Sequence, residues 1–475
     1  MSIGLAKVTI SAPERRVDVA LPEHLPLAEL LPEVLRHAGV GLADDGERHG
    51  GWVLRRTDGA PLQASQALLP QGVRDGEVLH LVPARAQWPE LEYDDVVEAI
   101  AESSRRRGSA WTGAATRSAC LVGGGVLVGA ALLAVVRGGP AWSAGGYVAV
   151  GIAVLLLAAA TVASRAYGEA AVGATLGALA MPAAFLGGAL LVSSGDPVGA
   201  LSALPWLGAA ELLTGTAAVL LVAVLGMVGT GVGLRIFAAG TLVGLLGGLT
   251  ASAGFLLSAA GAAAVLLSVL VCGIGLLPLL AIRFGRLPMP PITLPTGADA
   301  DDLAARSGGT GAGPRERPDR GRVAEAVVRT EELLSGLLVG HAVLAGAAAT
   351  VLVVAGGGAG LLLTAVSGAA LLLRSRLFVT LRQRVPLVAA GLAGVLVLAV
   401  VLAGRAGPAG LLGLAVVGSV AGLLVALAGA TWSRRAPTPY LGRAADVLDA
   451  LLVVSVVPVA CVVLDLYARA RDMVG

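Results

Sequence analysis

Chemistry needs reactive side chains at workable spacing, and this sequence offers few. A phosphate-cradling Gly-x-x-x-x-Gly-Lys-Ser/Thr loop needs its lysine to reach the β- and γ-phosphates. Lys7 is the only lysine in the chain, and no glycine run ends in one. ATP hydrolysis by that route is therefore excluded. Cys120, Cys272 and Cys461 lie far apart, each inside an apolar run, with no Cys/His spacing for a metal and no disulfide framework. They read as small buried hydrophobes. His24, His37, His49 and His80 all precede the first long apolar run, which leaves His341 alone among the later ones. Only Glu211, near the start of one apolar run, and His341, within another, suggest ionisable groups at membrane depth. Such groups are costly there and are functional by default. A proton-coupled carrier, however, needs several of them lining one path, and two isolated groups suit helix packing better. No catalytic residue, cofactor or metal ligand emerges, and nothing points to nucleic acid. A non-enzymatic protein is expected.

The elements that hold these residues are apolar. Of 475 residues, 56% are hydrophobic and 14% charged, with a mean hydropathy of +0.83. Soluble domains carry about 25% charged residues, so most of the chain has a solvent other than water. A spanning helix takes about 20 mostly apolar residues. Runs of that kind fall near 119–136, 147–163, 170–192, 207–226, 234–251 and 255–282, then near 333–354, 358–373, 386–403, 408–430 and 447–467. The expectation is an α-helical polytopic membrane protein of about eleven spans, arranged as six, a loop and five. A piece at 198–207, bracketed by Pro197 and Pro205, is too short to cross and reads as interfacial. Pro182, Pro278 and Pro458 read as intramembrane kinks.

Arginine placement tests the count independently. With the N-terminus inside, the inner connections carry Arg105, Arg106, Arg107, Arg117, Arg165 and Arg235, the cluster Arg283 through Arg329, Arg374, Arg376, Arg382, Arg384, Arg434, Arg435 and Arg443. The outer side holds only Arg137, Arg405, Arg469 and Arg471. That asymmetry is the positive-inside pattern, and it puts the C-terminus outside.

Residues 1–83 read differently, as strands around one helix. Residues 5–10 and 16–20 alternate polar and apolar like a half-buried hairpin. Leu27, Leu30, Leu31, Val34 and Leu35 recur at helical spacing between Pro26 and Gly39. Strands at 52–56 and 77–82 follow, each beside an Asp-Gly turn, at Asp58-Gly59 and Asp75-Gly76. Strand, strand, helix, strand, strand is the order of a ubiquitin-like β-grasp domain. The chain runs on past it without a conjugation tail, so a binding module is expected over 1–85. No signal peptide is read in the first twenty residues.

Residues 86–118 read as a helical, arginine-rich linker. Tyr93, Val97 and Ile100, with Val96, make one apolar stripe, which wants a groove. Arg105-Arg106-Arg107 and Trp111 then approach the membrane entry, where anionic headgroups attract each arginine by about 1 kcal/mol. Residues 283–332 form the one long inner loop, with a stiff Pro288-Met289-Pro290-Pro291 entry, a glycine-rich centre and the charge run Arg315 to Arg322. Val323, Val327 and Leu334 suggest an amphipathic helix leading into the seventh span. The loop is either a tether or a docking strip, with Arg315, Arg317, Arg320 and Arg322 as its contacts. Gly-x-x-x-Gly pairs are common, but with 67 glycines chance alone places about nine. Only the ladder Gly240/Gly244/Gly248 stands out, as a helix-packing or dimer face.

In this order, a ubiquitin-like domain, an arginine-rich linker and about eleven spans resemble the EccD family of actinobacterial type VII (ESX) secretion systems. The more specific pieces are Trp52 to Leu81, Asp94-Asp95-Val96-Val97-Glu98-Ala99-Ile100-Ala101, and Pro278-Leu279-Leu280-Ala281-Ile282-Arg283 running into Leu287-Pro288-Met289-Pro290-Pro291. The resemblance implies a structural, channel-scaffold subunit of a secretion complex in the cytoplasmic membrane. It implies pairing as a homodimer around lipids, and assembly with EccB, EccE and the ATPase EccC, which agrees with the missing lysine loop. On that view the N-terminal domain and the 283–332 loop hold the cytoplasmic part of EccC. Two other readings stay open: a polytopic secondary transporter with a soluble regulatory domain, and a membrane-embedded transferase.

Overall fold

A computed structural model describes residues 4–13, 15–39, 41, 42, 44, 46, 50–84, 111–287, 320–432 and 439–474. The chain divides into two compact units, Met1–Thr112 and Gly113–Gly475.

In the first unit, β1 (Leu5–Ser11) and β2 (Arg16–Pro22) pair antiparallel, and β4 (Val78–Pro83) pairs parallel to β1 and antiparallel to β3 (Trp52–Arg56). The strand order β2-β1-β4-β3, with α1 (Leu27–Ala38) packed on one face, is a β-grasp sheet. Period-2 alternation sends Ala6, Val8, Ile10, Leu54, Leu79 and Leu81 to the face under α1, where all are at most 4% exposed. From α1 the core takes Leu27, Leu30, Val34 and Ala38. Leu31 and Leu35, part of the same apolar pattern, lie at its margin. Asp58-Gly59 and Asp75-Gly76 turn where expected, with φ of 89° at Gly59 and 79° at Gly76, values that glycine adopts without strain. Arg15 Nε donates to the Ala38 carbonyl (3.1 Å) and so caps the end of α1.

The regular elements described in the second unit are helices: α2 (Gly113–Gly138), α3 (Gly145–Arg165), α4 (Ala170–Val192), α5 (Ala209–Thr230), α6 (Leu234–Ala253), α7 (Ala259–Gly273), α8 (Leu276–Gly285), α9 (Arg320–Ala355), α10 (Gly357–Arg374), α11 (Leu381–Arg405), α12 (Pro408–Trp432), α13 (Pro439–Val463) and α14 (Leu466–Val474). Ten of these are long and apolar enough to cross a membrane. The pair α7–α8, bent by 71°, makes an eleventh if it is counted as one span. The eleven runs read from the sequence correspond one for one with these helices.

Four features differ from expectation. The break in the sixth span falls at Ile274-Gly275, ahead of Pro278, because a proline there has no N–H to return to the carbonyl four residues back. The long loop ends early, since α9 is already helical at Arg320. Its buried face there is Ala326 and Ser335 rather than Val327, which is 40% exposed. Small residues are chosen because Thr330 packs directly on Gly285 of α8. Cys120 and Cys272 are exposed on their helices and Cys461 is half-buried, so the apolar medium outside the chain, not its core, solvates the first two.

The centre of this unit is α9, which packs on α6, α7, α8, α10 and α11. Small residues set the separations. A Cβ at Gly336 would stand 2.2 Å from the Arg235 carbonyl oxygen, and one at Gly340 2.7 Å from that of Ala239, so α9 and α6 touch backbone to backbone. At the other extreme α12 packs only lightly, chiefly on α11, and none of its most apolar stretch is buried in the chain.

Candidate docking surfaces and intramembrane polar groups

The expected docking residues are only partly within the described structure. Tyr93, Val97, Ile100, Arg315 and Arg317 lie outside the described residues. Arg320 opens α9 and Arg322 is exposed within its first turn. Both thus stand on the same continuous helix as the seventh span, which the sequence reading had placed on a separate loop. The ladder Gly240/Gly244/Gly248 packs inside the chain. Cβ atoms at Gly240 and Gly244 would meet Ala223 and Leu220 of α5 at 3.0 and 2.6 Å, and one at Gly248 would lie 3.6 Å from the Thr216 hydroxyl. Of the two roles considered for it, helix packing fits this geometry.

Glu211 is 5% exposed at the first turn of α5, where its Oε2 accepts the Gly208 N–H at 3.0 Å. It is a helix cap, with a carboxylate at the positive end of the helix dipole. His341 is 1% exposed in α9, and its Nε2 has no hydrogen-bond partner among the described residues. Ser367 Oγ in α10 is likewise unpartnered.

The polar groups that do pair are arginines at helix C-termini, and sequence reasoning had counted them only as loop charge. Arg165 donates to the Gly229 and Val228 carbonyls at the end of α5 (2.9 and 3.0 Å). Arg405 donates to the Val353 carbonyl at the end of α9 (3.2 Å). Arg374, at the end of α10, donates to the Val271 carbonyl (2.7 Å), beside the break between α7 and α8, and pairs with Asp449 of α13 at 3.3 Å. The charge answers the negative end of the dipole and the fork satisfies carbonyls that have no intrahelical donor. Arg405, one of the few arginines expected on the outer side, thereby has a structural role there. Asp446 and Asp449, not singled out before, supply the partners of Arg376 and Arg374. The signal that could have found them is an acidic pair at i, i+3 entering an apolar run.

The β-grasp unit offers two surfaces. A pocket of about 230 Å³ between α1 and β3 is lined by Leu27, Leu31, Trp52, Leu54 and Leu62. The sheet face opposite α1 is covered by no described element. The free edge of β3 is closed, because the Leu62 N–H bonds the Leu54 carbonyl and the Arg56 N–H bonds the Ala60 carbonyl.

Comparison with known proteins agrees with both units. The family model of the WXG100 protein secretion system protein YukD matches residues 5–81. Over 135 residues the chain is 33% identical to the ESX-4 secretion system protein eccD4 of Mycobacterium tuberculosis, in the strains CDC 1551 and H37Rv. That match spans 26% of this chain and 28% of the length of those relatives. Among solved structures, the chain resembles protomer 1 of the ESX-3 core complex, with a TM-score of 0.58, 21% identity, and 98% of this chain and 99% of the other covered. It also resembles a chain of the MycP5-free ESX-5 inner membrane complex, at TM-score 0.52 and 21% identity, with 91% and 100% covered. At such identity the likeness is one of fold. The family model of the EccD-like transmembrane domain matches residues 116–473, three quarters of the sequence, and the chain belongs to the EccD family.

Proposed function

We propose that the protein is a non-enzymatic scaffold subunit of a type VII secretion complex in the cytoplasmic membrane. The observation that carries this reading is the match of the EccD-like transmembrane model across nearly all the spans, supported by the full-length likeness to a core-complex protomer. Its surface is suited to assembly: α12 contributes none of its most apolar stretch to the chain's own packing, and α2 and α13 only 11% each. We assign those faces to lipid, to a second copy, and to EccB- and EccE-like subunits. The β-grasp unit, the stripe Tyr93, Val97 and Ile100, and the run Arg315, Arg317, Arg320 and Arg322 are assigned to docking, with an ATPase of the EccC type as partner. A secondary transporter would want a polar cluster at mid-membrane, and a membrane transferase several acidic or imidazole groups at one face. Neither feature supports those readings as strongly as the family match supports this one.

Pull-down from detergent is the direct test. Co-purification of an FtsK-like ATPase with the wild-type chain is expected. Replacing Arg315, Arg317, Arg320 and Arg322 together should lower its recovery several-fold while insertion and folding stay intact, since charges at the rim of an interface give orientation and on-rate more than affinity. Full recovery with the quadruple variant makes the run a tether only, and no ATPase at all in the wild-type eluate defeats the scaffold reading. Orientation is tested separately, by labelling with a membrane-impermeant thiol reagent. Cysteines placed at Gly139 and Gly407 should be modified in intact cells and one at Gly309 spared, because the arginine asymmetry sets the N-terminus inside. Modification at Gly309 overturns this orientation.

A further inference from the structure

The sheet face opposite α1 carries a row of basic side chains that the domain's own packing does not use. Register places Ser11 beside Arg16 and beside His80, and His80 beside Arg55, so Arg16, Ser11, His80 and Arg55 form one line across all four strands. Cross-strand partners share a face, and these alternate with the residues buried under α1, so the line lies on the open side. Lys7 shares that face, and the rows beside it hold half-buried Val53, Val78 and Val82. The carboxylate of Asp18, also on this face, already accepts the Thr9 hydroxyl (2.6 Å).

Three other arginines of the domain are committed. Arg15 caps α1, Arg36 pairs with Glu33, and Arg56 pairs with Glu77 at 3.3 Å. Arg55 is not: its Nε is shielded from solvent and has no hydrogen-bond partner among the described residues. A shielded guanidinium nitrogen without an acceptor is costly. Arg16 and Arg55, with Lys7 on the same face, beside three valines fit a ligand that is acidic and apolar together, laid across the face, since the β3 edge is closed.

The sequence supplies such a ligand within reach. From Glu90 to Glu102 it reads Glu-Leu-Glu-Tyr-Asp-Asp-Val-Val-Glu-Ala-Ile-Ala-Glu, with six carboxylates, no basic residue and five large apolar side chains at 91, 93, 96, 97 and 100. β4 ends at Pro83, three residues past His80. The seven residues from there to Glu90 can reach about 23 Å, and the return to the His80 row is about 10 Å. A tether that short holds its ligand at roughly millimolar effective concentration.

We propose that the acidic stretch 90–102 docks on the open sheet face of its own β-grasp domain, its carboxylates on the Arg16–His80–Arg55 line and its apolar stripe on Val53, Val78 and Val82. This deepens the docking role given above to Tyr93, Val97 and Ile100 by naming their groove. Docked so, the stripe and the basic line hide each other, and a partner that needs either must displace the other.

Disulfide trapping in the full-length chain tests this. With Cys120, Cys272 and Cys461 replaced by alanine, Ser11→Cys and Asp95→Cys are combined, and Glu29→Cys with Asp95→Cys serves as control, because Glu29 is exposed on α1. Mild oxidation of the purified protein should give about tenfold more intrachain disulfide with Ser11→Cys than with the control. The yield should fall several-fold between about 0.05 and 0.5 M salt, which needs no further substitution. It should fall again with Arg16→Glu and Arg55→Glu, and return when Glu92→Arg and Glu98→Arg are added. Equal yields in the two pairs, a yield indifferent to both salt and charge reversal, or disulfides formed only between copies would each overturn the proposal. Failure here with the ATPase still recovered would leave the scaffold function standing and move the groove to the partner.

Discussion

Replacing Trp52 with alanine is expected to unfold the β-grasp unit at physiological temperature while leaving the helical unit intact. Trp52 opens β3 and is 8% exposed, packed in the cluster with Leu27, Leu30 and Val34. Truncating such a ring costs about 3–5 kcal/mol. The indole N–H also donates to the Leu42 carbonyl (2.7 Å), which tethers the segment after α1 to the sheet. Removing it strands that carbonyl, at about 1 kcal/mol or more. For a domain of this size each kcal/mol is roughly 4–8 °C in Tm. Residues 1–85 expressed alone should fold as a soluble domain, and Trp52→Ala should lower its melting temperature by about 15 °C or more. Trp52→Phe, which keeps most of the volume and loses only the hydrogen bond, should fall by a few degrees. A loss below about 1 kcal/mol in the alanine variant means the core is elsewhere.

The largest effect in the membrane unit is expected from the smallest substitution. Gly336→Ala puts a methyl group 2.2 Å from the Arg235 carbonyl oxygen and 3.0 Å from the Ala238 Cβ. Backbone cannot rotate away as a side chain would, so α9 and α6 must separate along their length. Overpacking of that kind costs about 1–3 kcal/mol and more where nothing yields. Because α9 touches five other helices, the shift spreads, and the monodisperse fraction on size exclusion in detergent should drop sharply. Gly418→Ala is the matched control, since nothing lies within 4 Å of that site on α12. There alanine should be neutral or mildly stabilising, given its better helix propensity. Equal behaviour of the two variants would show that the close approach does not hold the bundle together.

Much of this architecture was legible beforehand, for identifiable reasons. Span length and period-2 strands are imposed by the solvent on each face, so hydropathy reports them directly, and the eleven apolar runs and the β-grasp order follow. What was not legible depends on partners distant in sequence. The stripe on α1 contained five apolar residues at helical spacing, and nothing local says that Leu27, Leu30 and Val34 turn inward while Leu31 and Leu35 stay at the rim. The break in the sixth span was anticipated at Pro278 but sits earlier, where the chain bends about Gly275. The glycine ladder stood out by its three rungs, and Gly240 and Gly244 prove to be close contacts, whereas Gly418 and Gly422, a pair at the same four-residue spacing, touch nothing. Spacing alone cannot separate these cases, because every turn of a lipid-facing helix is as apolar as one facing a neighbour. Arginine showed the same limit. Its distribution across loops suggested orientation, whereas the pairing of Arg374 with Asp449 required three helices to be assembled.

The arginine caps also impose an order of events during synthesis. The Val271 carbonyl beside the break in the sixth span receives its hydrogen bond from Arg374, 103 residues later, and the end of α9 waits 52 residues for Arg405. At about 5–20 residues per second, the bent segment stays incomplete for roughly 5–20 seconds after it leaves the ribosome. A free carbonyl of this kind is costly in hydrocarbon, so the α7–α8 elbow is expected to linger beside the insertion machinery or at the headgroup level until α10 arrives. A ribosome stalled before residue 374 should leave the elbow accessible to aqueous probes, and one stalled well after it should not. The sixth span is thus a late-maturing element, and its completion marks the moment at which the two halves of the bundle become one.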